Sequence, residues 1–283
     1  MNDLALYYIL LILLASLFAG VIGSLAGLGG GVLIVPFLTL FFRVPISLAI
    51  GASIISVIAT SSGAASAYVK DRISNIRVGT FLVLFTTTGA ILGAVIEHIT
   101  PVRLVYIIFG IVLLISLLPF VRKLGEEAPE GIKNAPFAEK LSLNSSFYDP
   151  YTKREIKYNV TGLKGGSAVM FIAGLISGLL GIGSGVFKVI AMDEFMKLPI
   201  KVSTTTSNFM IGITAAASAG IYFFNGDVNP FIAAPVAIGV LAGAVIGTRL
   251  LVSIKGTTVR KVFAVIIVVV AVEMLLNGVG IRV

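Results

Sequence analysis

Two glycine clusters, Gly27-Leu28-Gly29-Gly30-Gly31 and Gly181-Ile182-Gly183-Ser184-Gly185, stand 154 residues apart, each inside a long apolar run. The register extends to both sides, with Ala19-Gly20 aligned on Ala173-Gly174 and Pro45 on Pro199. Allowing a short deletion in the second copy, Gly89 and Gly93-Ala94-Val95-Ile96 align with Gly239 and Gly243-Ala244-Val245-Ile246. Self-similarity at a fixed spacing makes the chain two copies of one unit. The units are residues 1–121 and 163–283, and a linker over 122–162 joins them. A functional site is expected where the copies meet.

What surrounds the glycines is almost entirely apolar. Of 283 residues, 57% are hydrophobic and 12% charged, and the mean hydropathy is +1.07. A soluble domain carries about 25% charge. Several runs reach the roughly 20 residues that cross a hydrocarbon layer as helix, and they are continuous rather than alternating as barrel strands would be. The expected class is an all-α membrane protein with the lipid bilayer as its main partner. No positive charge precedes the first apolar run, so no cleaved leader is expected. The absence of cysteine removes thiolate metal sites, iron–sulfur clusters and Cys nucleophiles. The net charge of +8 reads as a signal of loop orientation rather than as a nucleic-acid surface.

Helices are expected from Pro45 to about Val69, over about 78–96, over about 102–121 behind Pro101, from Pro199 to about Phe224, and over 228–252 and 257–276. The glycine segments are harder to place. Residues 4–42 are too long for one simple span and short for two. Ser167 to Leu180 gives about 21 Å of helix before the second glycines, less than a full crossing. Each segment is therefore a broken through-going helix or a re-entrant hairpin, and loop charge separates these. With two hairpins, every Lys and Arg except Arg43, Arg103, Arg282 and Lys188 falls on one face, and the imbalance survives removal of the linker. The through-going alternative mixes the charges on both faces, against the positive-inside rule. The expected architecture is two inverted repeats, each a glycine-broken re-entrant hairpin plus three transmembrane helices, in the cell membrane. The linker, rich in acids and with Pro129, Pro136 and Pro150, is expected to be solvated and cytoplasmic, with both termini outside.

Glycines at mid-membrane free backbone N–H groups, and these need protein or a water-filled cavity against them. Half-helices that begin after such a turn point their positive dipole ends at the midplane, where they suit an anion. The candidate substrate-binding groups are thus the backbones of Gly29, Gly30 and Gly31 and of Gly183, Ser184 and Gly185. Lys188 follows three residues later among Val186, Phe187, Val189 and Ile190, where the first copy has Ile34. A charge at that depth is costly enough to imply a function, here a cation facing a bound anion, the alternative being a lysine snorkelling to the cytoplasmic surface. Ser207 and Asn208, and Ser53 in the first copy, are placed to hydrogen-bond an oxyanion. Thr60, Ser61 and Ser62 read as helix glue.

The pattern Gly23, Gly27-Leu28-Gly29-Gly30-Gly31, Pro36 resembles the signature of the sulfite exporter TauE/SafE family of membrane proteins. Gly181 to Lys188, followed by Ser203-Thr204-Thr205-Thr206-Ser207-Asn208-Phe209, resembles its second half. Two departures stand out: Ile190 takes the place of Pro36, and Ser184 that of Gly30. The resemblance implies a secondary transporter that exports small sulfur-containing anions such as sulfite or organosulfonates.

Coupling to a proton gradient needs a titratable group near the pathway. Glu273, inside the last apolar run, is the candidate, ahead of Glu97, His98, Asp193 and Glu194. An enzyme is disfavoured, because one histidine and no metal-ligand cluster leave no nucleophile with its base. No metal and no cofactor are expected. Neither glycine segment continues into Gly-Lys-Ser/Thr, so ATP does not drive the chain directly. The competing readings are an anion channel of similar build and a membrane scaffold or assembly factor whose glycines only pack.

Overall fold

The computed structural model describes residues 3–25, 31–70, 73–117, 135–149, 154–251 and 256–281. The first half holds α1 (Asp3–Leu25), α2 (Gly31–Pro36) ending in a π-helical turn (Phe37–Phe41), α3 (Ile46–Lys70), α4 (Ile76–Ile99) and α5 (Val102–Ile115). A short helix α6 (Pro136–Lys140) and strands β1 (Ser145–Asp149) and β2 (Arg154–Tyr158) follow. The second half holds α7 (Leu163–Leu180), α8 (Gly185–Ile190) with its own π turn (Ala191–Phe195), α9 (Ile200–Phe224), α10 (Pro230–Leu251) and α11 (Gly256–Val279).

Five described helices contain stretches long and apolar enough to cross a membrane: Leu6–Gly23, Ile76–Ile99, Leu163–Leu180, Ile200–Phe224 and Pro230–Gly247. The outer faces of the first of these helices and of the shorter apolar stretch Ala264–Val279 in α11 are apolar. Leu10, Leu14 and Phe18 on α1, and Val265, Val268 and Val272 on α11, are exposed at helical spacing. A stripe of that kind is stable only against lipid or protein. This is a multi-pass, all-α membrane protein outside its linker.

The spacing of 154 governs the backbone. It separates the starts of α2 and α8, of the two π turns, of α3 and α9, of α4 and α10, and of α5 and α11. The deletion expected in the second copy is absent. A Cβ on Gly20 would meet the Val240 carbonyl oxygen at 2.4 Å, and one on Gly174 would meet that of Thr86 at 2.1 Å. Both members of these pairs differ by 154, so the fourth helix keeps the register, and Gly89 corresponds to Gly243 rather than to Gly239. The alignment on Gly239 was drawn by a second glycine one turn earlier, which makes a similar contact with α1.

The proline difference also proves silent. Pro36 lacks an N–H for the helical ladder, yet the second copy makes the same π turn with Ile190 in its place. Each turn closes with an amide reaching back six residues, Val44 to Leu38 at 3.0 Å and Leu198 to Met192 at 2.9 Å. Each also places a cation in the left-handed region, Arg43 at φ +52° and Lys197 at φ +59°.

Helices of the two halves pack on one another: α1 on α10, α4 on α7, α3 on α9, and α5 on α11. Each glycine-containing segment has a contact between its two ends. The Tyr8 hydroxyl near the start of α1 donates to the Phe42 carbonyl at 3.0 Å, and the Thr161 amide just before α7 donates to that of Met196 at 3.3 Å. The linker departs from the solvated reading. Its strands pair antiparallel from Ser145 with Tyr158 to Asp149 with Arg154. Leu143, Phe147, Tyr158 and Val160 are buried with Met192, Met196, Leu198 and Val202. Two five-residue strands with so few apolar positions give too little periodicity to be read from sequence. Asn75 ties this cap to α4. Its side chain caps that helix at Val78 N and donates to the Leu143 carbonyl and the Tyr158 hydroxyl.

Candidate functional site

Gly31, the last residue of the first cluster, and Gly181, the first of the second, come together on α3. Gly29 and Gly30 lie outside the described residues, but Gly31 opens α2 with its Cβ position 3.5 Å from the Gly181 carbonyl oxygen. Gly181 and Gly183 take φ of +67° and +75°, and Ser184 follows at φ +45°. All three are conformations that an L side chain resists, and of the three only Ser184 carries one. The Ser53 hydroxyl sits between the turns, within donating distance of the carbonyls of Gly181 at 2.8 Å and Gly31 at 3.1 Å. Ser207, its counterpart, donates to the Gly185 carbonyl at 3.2 Å. Both serines thus hold backbone carbonyls instead of pointing free donors at a cavity. Asn208 is half-buried within α9.

Lys188 is fully buried. Its ammonium donates to Thr214 Oγ1 at 3.1 Å, and that hydroxyl in turn donates to the Met210 carbonyl at 2.8 Å and lies 3.1 Å from the Thr86 hydroxyl. No carboxylate pairs with Lys188 among the described residues. The void at the turns is small, about 10 Å³, lined by Ser184, Gly185, Val32 and Ser116 among others. That is no larger than the space one water needs. The Ser184 hydroxyl is buried without a partner, and Lys188 does not line the void.

The larger space is elsewhere. A cavity of about 810 Å³ opens at the C-terminal end of α4, lined by Thr39, Arg43, Ser47, Glu97, His98, Thr100, Tyr106, Asp227, Glu273 and Asn277 with several apolar neighbours. It lies at the other end of α4 from the linker. Glu273, the coupling candidate, is one of its walls, and its carbonyl accepts from the Asn277 side chain at 3.0 Å. Glu97 is not the solvated interfacial acid that its place at a helix end implies, since it is only 5% exposed. Asp227 escaped the sequence reading. It sits in the turn between α9 and α10, and its amide donates to the Tyr222 carbonyl at 2.8 Å. Its His98 contact spans 129 residues of sequence, so no local spacing announces it. The expected absence of a metal-ligand cluster does not survive folding: carboxylate atoms of Glu97 and Asp227 and a ring nitrogen of His98 lie within 4.8 Å of one another.

Comparisons place the sequence among known proteins. The family model described as sulfite exporter TauE/SafE matches residues 12–274. The chain is similar to the "Probable membrane transporter protein YunE" of Bacillus subtilis, at 26% identity over 96% of this chain and 98% of that one. It is similar to YdhB of the same organism, at 27% over 85% and 89%. A probable membrane transporter protein of Methanocaldococcus jannaschii is 26% identical over 94% and 95%. No solved structure matches at comparable significance. With the match running through both halves and both glycine turns, the chain belongs to the sulfite exporter TauE/SafE family of membrane transporters.

Proposed function

We propose that this transporter exports small sulfur-containing anions, such as sulfite or organosulfonates, across the cell membrane by alternating access. The observation that carries the reading is Lys188, a fully buried cation near the meeting of the two halves, held among the described residues by a single threonine hydroxyl. A charge there is maintained for a counter-ion that comes and goes. The substrate contacts are the backbone N–H groups of Gly29 to Gly31 and Gly183 to Gly185, with Lys188 neutralising charge. Ser53, Ser207 and Asn208 orient the anion once the turns part. Glu273 serves coupling from the wall of the cavity.

Two inverted repeats with re-entrant hairpins fit the packing. Leu13 and Leu17 of α1 meet Gly239 and Gly243 of α10 in ascending order, so these helices run parallel. The second glycine segment ends beside the start of α7, so α9 leaves from there and α10 returns, opposite to α7. By that reasoning α1 and α7, equivalent in the repeat, point opposite ways. The linker lies on the face that collects the positive loops, in keeping with a cytoplasmic linker and outside termini. A central void of only about 10 Å³, an 810 Å³ cavity at one end and a linker cap at the other support reading this as a state open to the outside.

The test is thermal stability of purified protein against sulfite, sulfate, thiosulfate, taurine, sulfoacetate and chloride, with Lys188→Ala alongside. A ligand at about 100 times its Kd stabilises by about 2.7 kcal/mol. One sulfur oxyanion should raise the melting temperature of the wild type and not that of Lys188→Ala. If no anion shifts either protein, the anion reading fails.

A further inference from the structure

We propose that Glu97, His98 and Asp227 form a binding site for a divalent first-row transition-metal ion at the mouth of the 810 Å³ cavity. This inference stands apart from the anion reading, since none of the three residues belongs to the glycine turns.

Glu97 is 5% exposed, lines the cavity, and its Oε2 is buried without a hydrogen-bond partner among the described residues. Asp227 Oδ2 is likewise buried and unbonded, 4.0 Å from His98 Nδ1. Two carboxylates held this close repel one another, and a cation between them removes that cost. The last carbonyls of α4 add negative potential, because Glu97 and His98 sit in the final turn of that helix.

The backbone fixes the donors before any ion arrives. Thr100 N donates to the Glu97 carbonyl at 3.0 Å, and the Asp227 amide is held by Tyr222. A Cβ at Gly51 of α3 would meet the Asp227 carbonyl oxygen at 2.3 Å, so α3 packs hard against that turn. Metal–ligand bonds of about 2.0–2.2 Å require donor atoms roughly 3.4 Å apart in a tetrahedron. Closing from 4.8 Å or less asks for a rotamer adjustment and no backbone movement. One imidazole and two carboxylates favour zinc, manganese, iron or cobalt over magnesium and calcium. Three protein donors leave a further coordination position, and it faces the cavity.

The experiment uses tag-free full-length protein in detergent, so that no polyhistidine competes, and measures binding of Zn²⁺, Mn²⁺ and Mg²⁺ by calorimetry. The expected result is one Zn²⁺ or Mn²⁺ per chain, with Mg²⁺ at least tenfold weaker. Glu97→Gln, Asp227→Asn and His98→Ala should each lower Zn²⁺ affinity tenfold or more. His98 is exposed, so His98→Ala keeps the fold and decides the matter if the buried variants misfold. Absence of saturable binding to the wild type overturns the proposal, as does unchanged Zn²⁺ affinity in His98→Ala.

Discussion

Residues 37–45 and 191–199 trace one backbone twice: a π turn, a left-handed cation, and a proline that opens the next long helix. Around the first, Thr39, Arg43 and Ser47 face a large polar cavity together with Glu97, Asp227 and Glu273. Around the second, Met192, Met196 and Leu198 are buried beneath Leu143, Phe147 and Tyr158 of the linker. At the positions corresponding to Glu97 and Asp227 the chain carries Leu251 and Ile73. Duplication therefore preserved the main-chain frame, and side-chain divergence made one end wet and the other dry. Under the alternating-access reading proposed above, such a difference lets the two open states differ in energy.

The largest effect should come from breaking the packing that both halves share. Gly20→Leu and Gly174→Leu force a side chain into a backbone carbonyl, and no rotamer relieves a Cβ clash of that kind. Loss of most folded protein is expected for both in a detergent gel-filtration assay, whereas Gly220→Ala, with open space around it, should match or exceed the wild type. Tolerance of one leucine and not the other would mean that the halves share a path and not a packing scheme.

The contrast between wet and dry ends can be sharpened chemically, since the chain has no cysteine of its own. A membrane-impermeant maleimide should label Thr100→Cys, on the cavity wall, from outside intact cells. Met196→Cys, fully buried, should stay unlabelled in inverted vesicles until Tyr158→Ser loosens the cap, and then react several-fold faster. Equal labelling of Met196→Cys with and without Tyr158→Ser would remove the linker's role as a cover.

A smaller difference is expected at the glycine turns. Ser53→Ala takes the donor from a site that reaches two buried carbonyls and should cost about 1–3 kcal/mol. Ser207→Ala affects one, and should cost about 1 kcal/mol or less. Denaturation of both variants in the same detergent measures the gap, and a larger loss at Ser207 would reverse the assignment of Ser53 as the link between the halves.

The helical membrane class was legible because it rests on apolar runs and prolines, which act locally. The approach of Gly31 to Gly181 was also within reach, since it follows from the repeat. Lys188 was recognisable as unusual from its neighbours alone, though its turn toward Thr214 was not. Three features needed the fold itself. The linker's strands are too short and too polar to announce themselves, and Ser53 and Ser207 could be listed as donors but not assigned to carbonyls. Asp227 reaches Glu97 and His98 only because α9 and α10 join at the end of α4, a tertiary contact that sequence spacing does not encode.

The interleaving of the halves sets an order of events during synthesis. The groove of α4 around Gly89 and Gly93 receives Phe171 and Leu175 of α7, and α1 receives Gly239 and Gly243 of α10. Neither half can complete its own interior, so the first, once inserted, waits with a notched helix surface until the ribosome has delivered α7 and then α10. Completion of the fold therefore comes late and in two steps, and a chain interrupted after the linker would leave both α1 and α4 without their partners.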